Sequence, residues 1–153
     1  MRYWLVKTEP ETYSFEDLSR DGRGYWGGVR NYQARNNLKN MKKGDCVIIY
    51  HSNANPSGVV GVARVVVEAT IDPTQFEEGN KYQDVSSKPE SPKWWGVDIE
   101  PLQKLRMISL KELQNMEELR NSALCKKGNR LSVIELLEVE YIAIINRGSA
   151  GSV

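Results

Sequence analysis

Two runs rich in β-branched residues, joined by a turn-forming segment, place the strongest constraint on the fold. The runs are CVIIYHS, which begins at Cys46, and GVVGVARVVVEAT, which begins at Gly58, and the segment NANPSG leads from one to the other. Valine and isoleucine favour strands, and a short loop containing Pro and Gly between two such runs indicates an antiparallel pair. Gly58 and Gly61 predict a bulge or bend. The centre of the fold is therefore predicted to be a long, curled hairpin.

Short helices and further strands are predicted around this hairpin. Ser14, with Asp17 three residues later, is typical of a capping box at the start of a short helix that ends at Gly22. Residues 30–41 predict a surface helix with one narrow apolar stripe. The other predicted elements are a strand at residues 3–7, two strands around Pro101 in WWGVDIEPLQKLRMI, short helices from Ser109 and near Glu117, and a final strand that turns into a helix within residues 129–147. About five to six mostly antiparallel strands with short flanking helices indicate the α+β class, built on a curled sheet or open barrel.

Length and composition favour one domain. A chain of 153 residues, of which 40% are hydrophobic, is long enough for one core and too short to divide comfortably into two. We assign residues 1–147 to this domain. The small residues at positions 148–153 predict a flexible C-terminal tail.

Cysteine content and hydropathy narrow the environment in which the chain works. Cys46 and Cys125 are the two cysteines, a number that argues against a disulfide framework and favours a reducing compartment. No window approaches the roughly 20 consecutive apolar residues of a membrane span. We expect an intracellular, monomeric protein without a membrane partner, cytoplasmic in a bacterium or nuclear in a eukaryote.

The segment YWGGVRNYQARNN, residues 25–37, is the most unusual in the chain because it joins large aromatic residues, a glycine pair, amides and arginines. It lies within residues 20–43, which contain seven Lys or Arg and one Asp, so the local charge is 7 − 1 = +6 while the net charge of the whole chain is only +1. A nearly neutral protein does not attract a polyanion through its overall charge. Any affinity for nucleic acid must therefore depend on such a local cluster.

Six motifs follow one another along nearly the whole chain: WLVKTEP, WGGVRNYQARNNL, KKGDCVIIYHSN, VVGVARVV, WWGVDIE and NRLSVIEL. By these motifs the sequence resembles the EVE domain family. The resemblance implies a PUA-like pseudo-barrel, which agrees with the predicted number of strands. It also implies a DNA-binding module that reads a modified base, 5-methylcytosine or 5-hydroxymethylcytosine, which is flipped out of the duplex into an aromatic pocket.

Such a reader needs rings that stack on the base, groups that bond its polar edge, and cations for the neighbouring phosphates. Trp26, beside two glycines, is a candidate ring, and of Trp94 and Trp95, which alternate in direction on a strand, we expect Trp94 to face the pocket. Glu9 suits the exocyclic amine of cytosine. The predicted base pocket comprises Lys7, Thr8, Glu9, Trp26, Val29, Asn31, Tyr50, His51, Ser52 and Trp94, in which Lys7 to Glu9 match the family's Lys-Ser/Thr-Glu motif. The predicted phosphate contacts are Arg30, Arg35 and Lys39.

Each assignment has a structural alternative. Trp26 also suits the core. Lys7 and Glu9 share one face of a strand and also suit a plain surface ion pair. A single histidine at a strand end, such as His51, is often structural, and the basic helix at residues 30–41 also suits a solvated face.

Two other functions compete with the reader. An enzyme acting on a modified nucleotide would use Lys7, Glu9 or Tyr50 as acid and base groups, and a PUA-like RNA-binding module would use the same basic segment. The sequence has neither a zinc-ligand pattern nor a phosphate-binding Gly-Lys-Ser/Thr loop. We therefore predict a non-catalytic protein without metal or cofactor, whose partner is nucleic acid, modified DNA ahead of RNA.

Overall fold

A six-stranded mixed sheet with helices on both faces forms the fold in a computed structural model that describes residues 1–126 and 128–149. In chain order the elements are β1 (Tyr3–Thr8), α1 (Phe15–Asp21), β2 (Gly24–Trp26), α2 (Tyr32–Asn40), β3 (Cys46–His51), β4 (Gly58–Ile71), a 3₁₀ turn (Pro73–Phe76), β5 (Trp95–Ser109), α3 (Leu110–Gln114), two 3₁₀ turns (Glu117–Leu119 and Ala123–Cys125), β6 (Val133–Leu136) and α4 (Glu138–Ser149). The predicted α+β class is confirmed.

The predicted hairpin lies at the centre of the sheet. The strand order is β2-β5-β4-β3-β1-β6, and β3 pairs with β4 in the antiparallel sense. The register of β4 against β5 shifts between Val59 and Gly61, where the glycines predict a bulge. A Cβ on Gly61 would lie 2.5 Å from the Phe15 ring, so the missing side chain lets α1 pack closely on the sheet.

One pair of neighbouring strands, β1 and β3, is parallel, and this pair determines where polar side chains collect. Lys7 is opposite Tyr50 and Thr8 is opposite His51, so both strands end at the same edge of the sheet. The strand pairs β1–β6, β2–β5, β3–β4 and β4–β5 are antiparallel. The sheet is therefore mostly antiparallel, as predicted.

The core has two halves because the central strands are buried on both faces. Trp4 and Val6 of β1 face the half that packs against α1 and α2, whereas Leu5 faces the half that packs against α3 and α4. Strands covered on both sides have nearly continuous apolar sequences rather than alternating ones. This explains runs such as CVIIY in β3, where Val47 and Ile48 are both fully buried.

The helix ends follow the predicted signals. Ser14 and Asp17 form a capping box at the start of α1, and Gly22 ends that helix in the left-handed conformation. Asn31 is the N-cap of α2, so this helix begins two residues later than predicted. Ser109 caps α3 as predicted.

The prediction of two strands around Pro101 is wrong, because β5 runs without interruption from Trp95 to Ser109. Val62 is opposite Gln103 and Ala63 is opposite Pro101, so the ladder skips one residue at this point. Proline has no N–H to donate, and a local shift of register accommodates it within a strand.

Helix α4 extends two residues past the predicted end of the domain at residue 147. Gly148 is buried, and a Cβ there would lie 2.9 Å from Leu105 Cβ. Residues 150–153, the remainder of the predicted tail, lie outside the described residues.

His51 joins the end of β3 to the start of α1, and this contact predicts a pH-dependent stability. Its Nε2 accepts a hydrogen bond from the Phe15 N–H at 3.1 Å, and burial lowers its pKa. Below about pH 6.5 the unfolded chain takes up a proton that the folded chain resists, so the free energy of unfolding should fall from pH 6.5 to pH 5. The slope for one proton is at most about 1.4 kcal/mol per pH unit. Urea denaturation across this range measures it.

His51→Gln is the matched variant, because a glutamine oxygen accepts the same hydrogen bond without titrating there. Its stability should be flat over this pH range. An equal slope in the variant and the wild type would contradict the assignment.

Candidate functional site

A pocket of about 860 Å³ opens where β1 and β3 end. The residues that line it come from six segments: Lys7, Thr8, Glu9, Thr12 and Tyr13; Tyr25, Trp26, Gly27, Gly28, Val29 and Arg30; Tyr50, Ser52, Asn53 and Ser57; Lys81 and Tyr82; Leu110; and Asn129, Arg130 and Ser132. Parallel strands direct the segments that follow them to one edge, where ligands commonly bind. The Ser52 N–H donates to the Thr8 carbonyl at 2.9 Å, which holds these two segments together.

The glycine pair allows one wall of the pocket to approach closely. Gly28 has a φ of +73°, and a Cβ there would lie 3.0 Å from the Tyr82 ring. Its N–H donates to Asp72 Oδ2 at 2.8 Å. A side chain at this position would be strained and would displace Tyr82, so glycine is required for the ring to lie on the backbone.

Arg30 and Asp72 fix the polar segment between β4 and β5, residues 72–94, which brings Tyr82 to the pocket. Arg30 Nη1 lies 3.0 Å from Asp72 Oδ2, and Nε and Nη2 donate to the Tyr82 carbonyl at 2.9 and 2.7 Å. Burial alone would raise the pKa of Asp72, but hydrogen bonds from Thr74, Gly28 and Arg30 outweigh this effect and keep the pKa below its usual value. Arg30 therefore lines the pocket with its guanidinium already engaged.

A second buried group orders the same segment from inside. The Gln75 side chain is fully buried, and its amide donates to the carbonyls of Asp72 and Trp94 at 2.6 and 2.9 Å. Its Oε1 accepts from Ser87 Oγ at 2.6 Å and from the Lys93 N–H at 3.2 Å. These bonds make residues 72–94 a fixed wall.

The charges that face the pocket are mostly positive and unpaired. Within the described residues, Lys7, Lys81 and Arg130 form no ion pair with a carboxylate. Lys7 is half-buried, which lowers its pKa, and its Nζ lies 5.6 Å from the centre of the Tyr50 ring. Glu9 is the acidic residue of the lining. Such a surface favours an anionic ligand.

Aromatic rings form much of the remaining surface, but their exposure differs. Trp26 is 8% exposed and packs edge-on against Tyr13, with ring centres 6.2 Å apart, so it serves the core and reaches the pocket with only a small part of its surface. Tyr50 is buried as well. Tyr25 is exposed, while Tyr13 and Tyr82 are half-buried, and these rings present more area to a ligand.

Seven of the ten residues of the predicted base pocket line the observed one: Lys7, Thr8, Glu9, Trp26, Val29, Tyr50 and Ser52. The other three have bonds elsewhere. The Asn31 side chain caps α2, and His51 accepts from Phe15. Trp94 is buried, donates to Asp84 Oδ2 at 2.7 Å and stacks on Tyr32 at 4.9 Å.

Arg35 and Lys39, the other predicted phosphate contacts, lie outside the pocket lining, on α2. The Arg35 guanidinium stacks on Tyr32 and donates to the Lys93 carbonyl at 2.9 Å. Lys39 Nζ lies 4.9 Å from the centre of the Trp95 ring. Neither side chain forms an ion pair with a carboxylate among the described residues.

Several lining residues were missed by sequence reasoning, including Tyr13, Tyr25, Asn53, Lys81, Tyr82 and Arg130. Arg130 lies within the NRLSVIEL motif and Asn53 within the hairpin loop, so both were close to recognised signals. Lys81 and Tyr82 belong to the polar connection between β4 and β5, residues 72–94, and so long a connection in a small domain is commonly functional.

Other kinds of site find no support in residues 1–126 and 128–149. No group of three or more His, Cys, Asp or Glu side chains there is arranged to hold a metal ion. In the same residues, no helix combines the length and the apolar character needed to cross a membrane.

Comparisons with known proteins agree with this architecture. The sequence profile of the EVE domain matches residues 2–147. Thymocyte nuclear protein 1 of Mus musculus is 39% identical over 94% of this chain and 72% of its own length. A hypothetical protein from Leishmania major superposes with a TM-score of 0.95 at 36% identity, covering 100% of this chain and 98% of that chain. Human THYN1 protein, in complex with 5-methylcytosine-containing DNA, superposes with a TM-score of 0.87 at 36% identity, covering 95% of this chain and 96% of that chain. These matches confirm the expected PUA-like α+β fold, and this chain belongs to the EVE domain family.

Proposed function

We propose that this protein is a non-catalytic reader of modified DNA, which binds a flipped-out 5-methylcytosine or 5-hydroxymethylcytosine in the pocket at the ends of β1 and β3. The human relative bound to 5-methylcytosine-containing DNA supports the class of ligand. The observation that carries the proposal is the charge of the pocket lining, which contains three cations without an ion pair among the described residues, Lys7, Lys81 and Arg130, and one carboxylate, that of Glu9.

The size and walls of the pocket suit one nucleotide. Its volume of about 860 Å³ lies within the usual range for small-ligand sites. Tyr82 lies against Gly28 at one side, and Tyr13 and Tyr25 add further ring surface. Every base has a flat face that stacks on such rings. We assign the principal stacking role to Tyr82, because Trp26 is committed to the core.

The three cations that line the pocket differ in how deeply they are buried. Lys7 is half-buried beside Tyr50 and faces the base, whereas Lys81 and Arg130 are exposed and suit the phosphates on either side of the flipped nucleotide. Arg35 and Lys39 on α2 suit phosphates farther along the duplex. Arg30 holds the wall of the pocket in place through Asp72 and Tyr82.

Two hydroxyl groups of the pocket are engaged in bonds within the protein, which supports a binding role. The Tyr13 hydroxyl donates to Asp21 Oδ2 at 2.8 Å, and its pKa is raised to about 12, by burial first and then by this hydrogen bond. The Thr8 hydroxyl donates to the Tyr13 carbonyl at 2.8 Å. Neither group is placed as a nucleophile beside a base.

Titration with matched duplexes that contain cytosine, 5-methylcytosine or 5-hydroxymethylcytosine tests the proposal, with tryptophan fluorescence as the readout. One modified duplex should bind more tightly than the cytosine duplex. Tyr82→Ala should weaken binding of that duplex by roughly 5- to 150-fold, the loss of one stacked base, while Tyr82→Phe should retain it. Leu102→Ala, which truncates an exposed apolar side chain outside the pocket, is the control and should leave binding unchanged.

Equal affinity for the three duplexes would overturn the reading of modified cytosine in DNA. Tighter binding to RNA of the same sequence would favour the RNA-binding function, and turnover of a modified nucleotide would favour the enzyme.

The salt dependence of binding tests the phosphate contacts. Lys81→Ala and Arg130→Ala should each lower the slope of log K against log salt by about 0.9 and leave the ratio of modified to unmodified affinity unchanged. Arg120→Ala removes a surface cation outside the pocket and should change neither quantity. Unchanged slopes in both pocket variants would contradict their assigned role.

A further inference from the structure

Glu9 and Asn53 line the pocket together, and the Asn53 side chain holds the Glu9 carboxylate by a hydrogen bond. Its carboxylate is exposed at the pocket, and Oε1 accepts a hydrogen bond from Asn53 Nδ2 at 2.7 Å. No donor among the described residues reaches Oε2. Lys7, two residues earlier on the chain, forms no ion pair with it. One oxygen of the pair is therefore held and the other is available to a ligand.

Asn53 is itself held in a defined position. Its φ is +50°, in the left-handed region that asparagine tolerates better than most residues. The Ser52 N–H bonds to the Thr8 carbonyl at 2.9 Å, and the Ala54 N–H bonds to Ser57 Oγ at 3.2 Å on the other side. The direction of the Asn53 amide follows from chemistry, because an ionised carboxylate accepts and cannot donate.

We infer that Glu9, oriented by Asn53, is the residue that distinguishes 4-amino pyrimidines from 4-oxo pyrimidines. This inference rests on the proposed base pocket and specifies what its polar edge reads. The N4 amine of cytosine, 5-methylcytosine or 5-hydroxymethylcytosine donates to Glu9 Oε2. Thymine and uracil present an O4 acceptor at the same place, which a carboxylate repels. Such a pairing discriminates by roughly 5- to 150-fold.

Thymine is the sharpest competitor because it is 5-methyluracil, which has the same methyl group as 5-methylcytosine and a carbonyl in place of the amine. A T·G mismatch also opens more easily than a 5-methylcytosine·G pair, so the cost of flipping favours thymine. A preference for 5-methylcytosine over thymine in such duplexes must therefore come from the pocket. Matched single strands with the same two bases remove the cost of opening altogether.

Glu9→Gln is the decisive variant because it changes one oxygen into a donor. In the orientation of the wild-type pair, with Asn53 Nδ2 donating to Oε1, the new Nε2 amide group takes the place of Oε2 and donates to the O4 acceptor of thymine. The wild type should bind 5-methylcytosine at least about 5-fold more tightly than thymine in both duplex and single strand. In Glu9→Gln that ratio should fall to one or invert.

Asn53→Gly keeps the positive φ without strain and removes the hydrogen bond to Glu9. Discrimination in this variant should weaken, because the carboxylate is free to turn, but it should not invert. Because Glu9 and Asn53 are exposed, both variants should keep the wild-type circular dichroism spectrum.

The outcomes separate this inference from the proposed function. If the wild type prefers modified DNA but binds 5-methylcytosine and thymine equally, the role of Glu9 is overturned and the proposed reading of modified DNA is not. A ratio of 5-methylcytosine to thymine affinity that is unchanged in folded Glu9→Gln would also overturn the role of Glu9. Absence of any preference for modified cytosine over cytosine in the wild type would overturn the proposed function itself.

Discussion

The parallel pairing of β1 with β3 is the constraint on which the pocket depends. In a sheet whose other neighbouring strands are antiparallel, this one pair ends both of its strands at the same edge. The chain after β1 supplies Glu9 and the chain after β3 supplies Asn53, so residues 44 positions apart come within hydrogen-bonding distance. An antiparallel pairing would have sent these segments to opposite ends of the sheet.

The remaining wall of the pocket depends on polar groups that are buried away from it. Asp72 is fully buried and accepts hydrogen bonds from the Gly28 N–H and the Arg30 guanidinium. The Gln75 side chain donates to the carbonyls of Asp72 and Trp94, at the two ends of the segment that carries Tyr82. Leaving such groups without partners is costly, so their satisfied bonds hold the segment in one arrangement. Tyr82 is thereby placed against Gly28 before any ligand binds. A pocket assembled in advance loses less entropy on binding than one that must be ordered.

Local patterns were enough to predict most of the fold. The hairpin, the capping box at Ser14 and the cap at Ser109 follow from side chains that act within a few residues of themselves. Pro101 misled the prediction because a shift of register on the neighbouring strand accommodates it, and that shift is a property of the pair. Residues 148 and 149 were assigned to the tail but belong to α4, in which Gly148 allows close packing on Leu105.

The site was predicted less completely because its parts are joined over long distances in sequence. Lys7 and Glu9 were chosen through their motif, and both line the pocket although Glu9 lies one residue past the end of β1. Lys81 and Tyr82 could not be placed, since their position follows from the bonds that Arg30 makes across more than 40 residues. Trp94 and Asn31 have residue types that suit a base pocket, yet their polar groups bond elsewhere. The Trp94 indole N–H donates to Asp84, and Asn31 Oδ1 accepts from the Ala34 N–H in the first turn of α2.

In the proposed binding mode a modified cytosine leaves the duplex and enters the pocket at the ends of β1 and β3. The most direct measurement is a nuclear Overhauser experiment on the complex with DNA that carries a ¹³C-labelled methyl group on a single 5-methylcytosine. We expect contacts between that methyl group and protons of pocket residues such as Tyr82 and Tyr25, with loss of its contacts to the neighbouring bases. A methyl group that keeps its contacts within the base stack, while the protein remains bound, would contradict base flipping into this pocket.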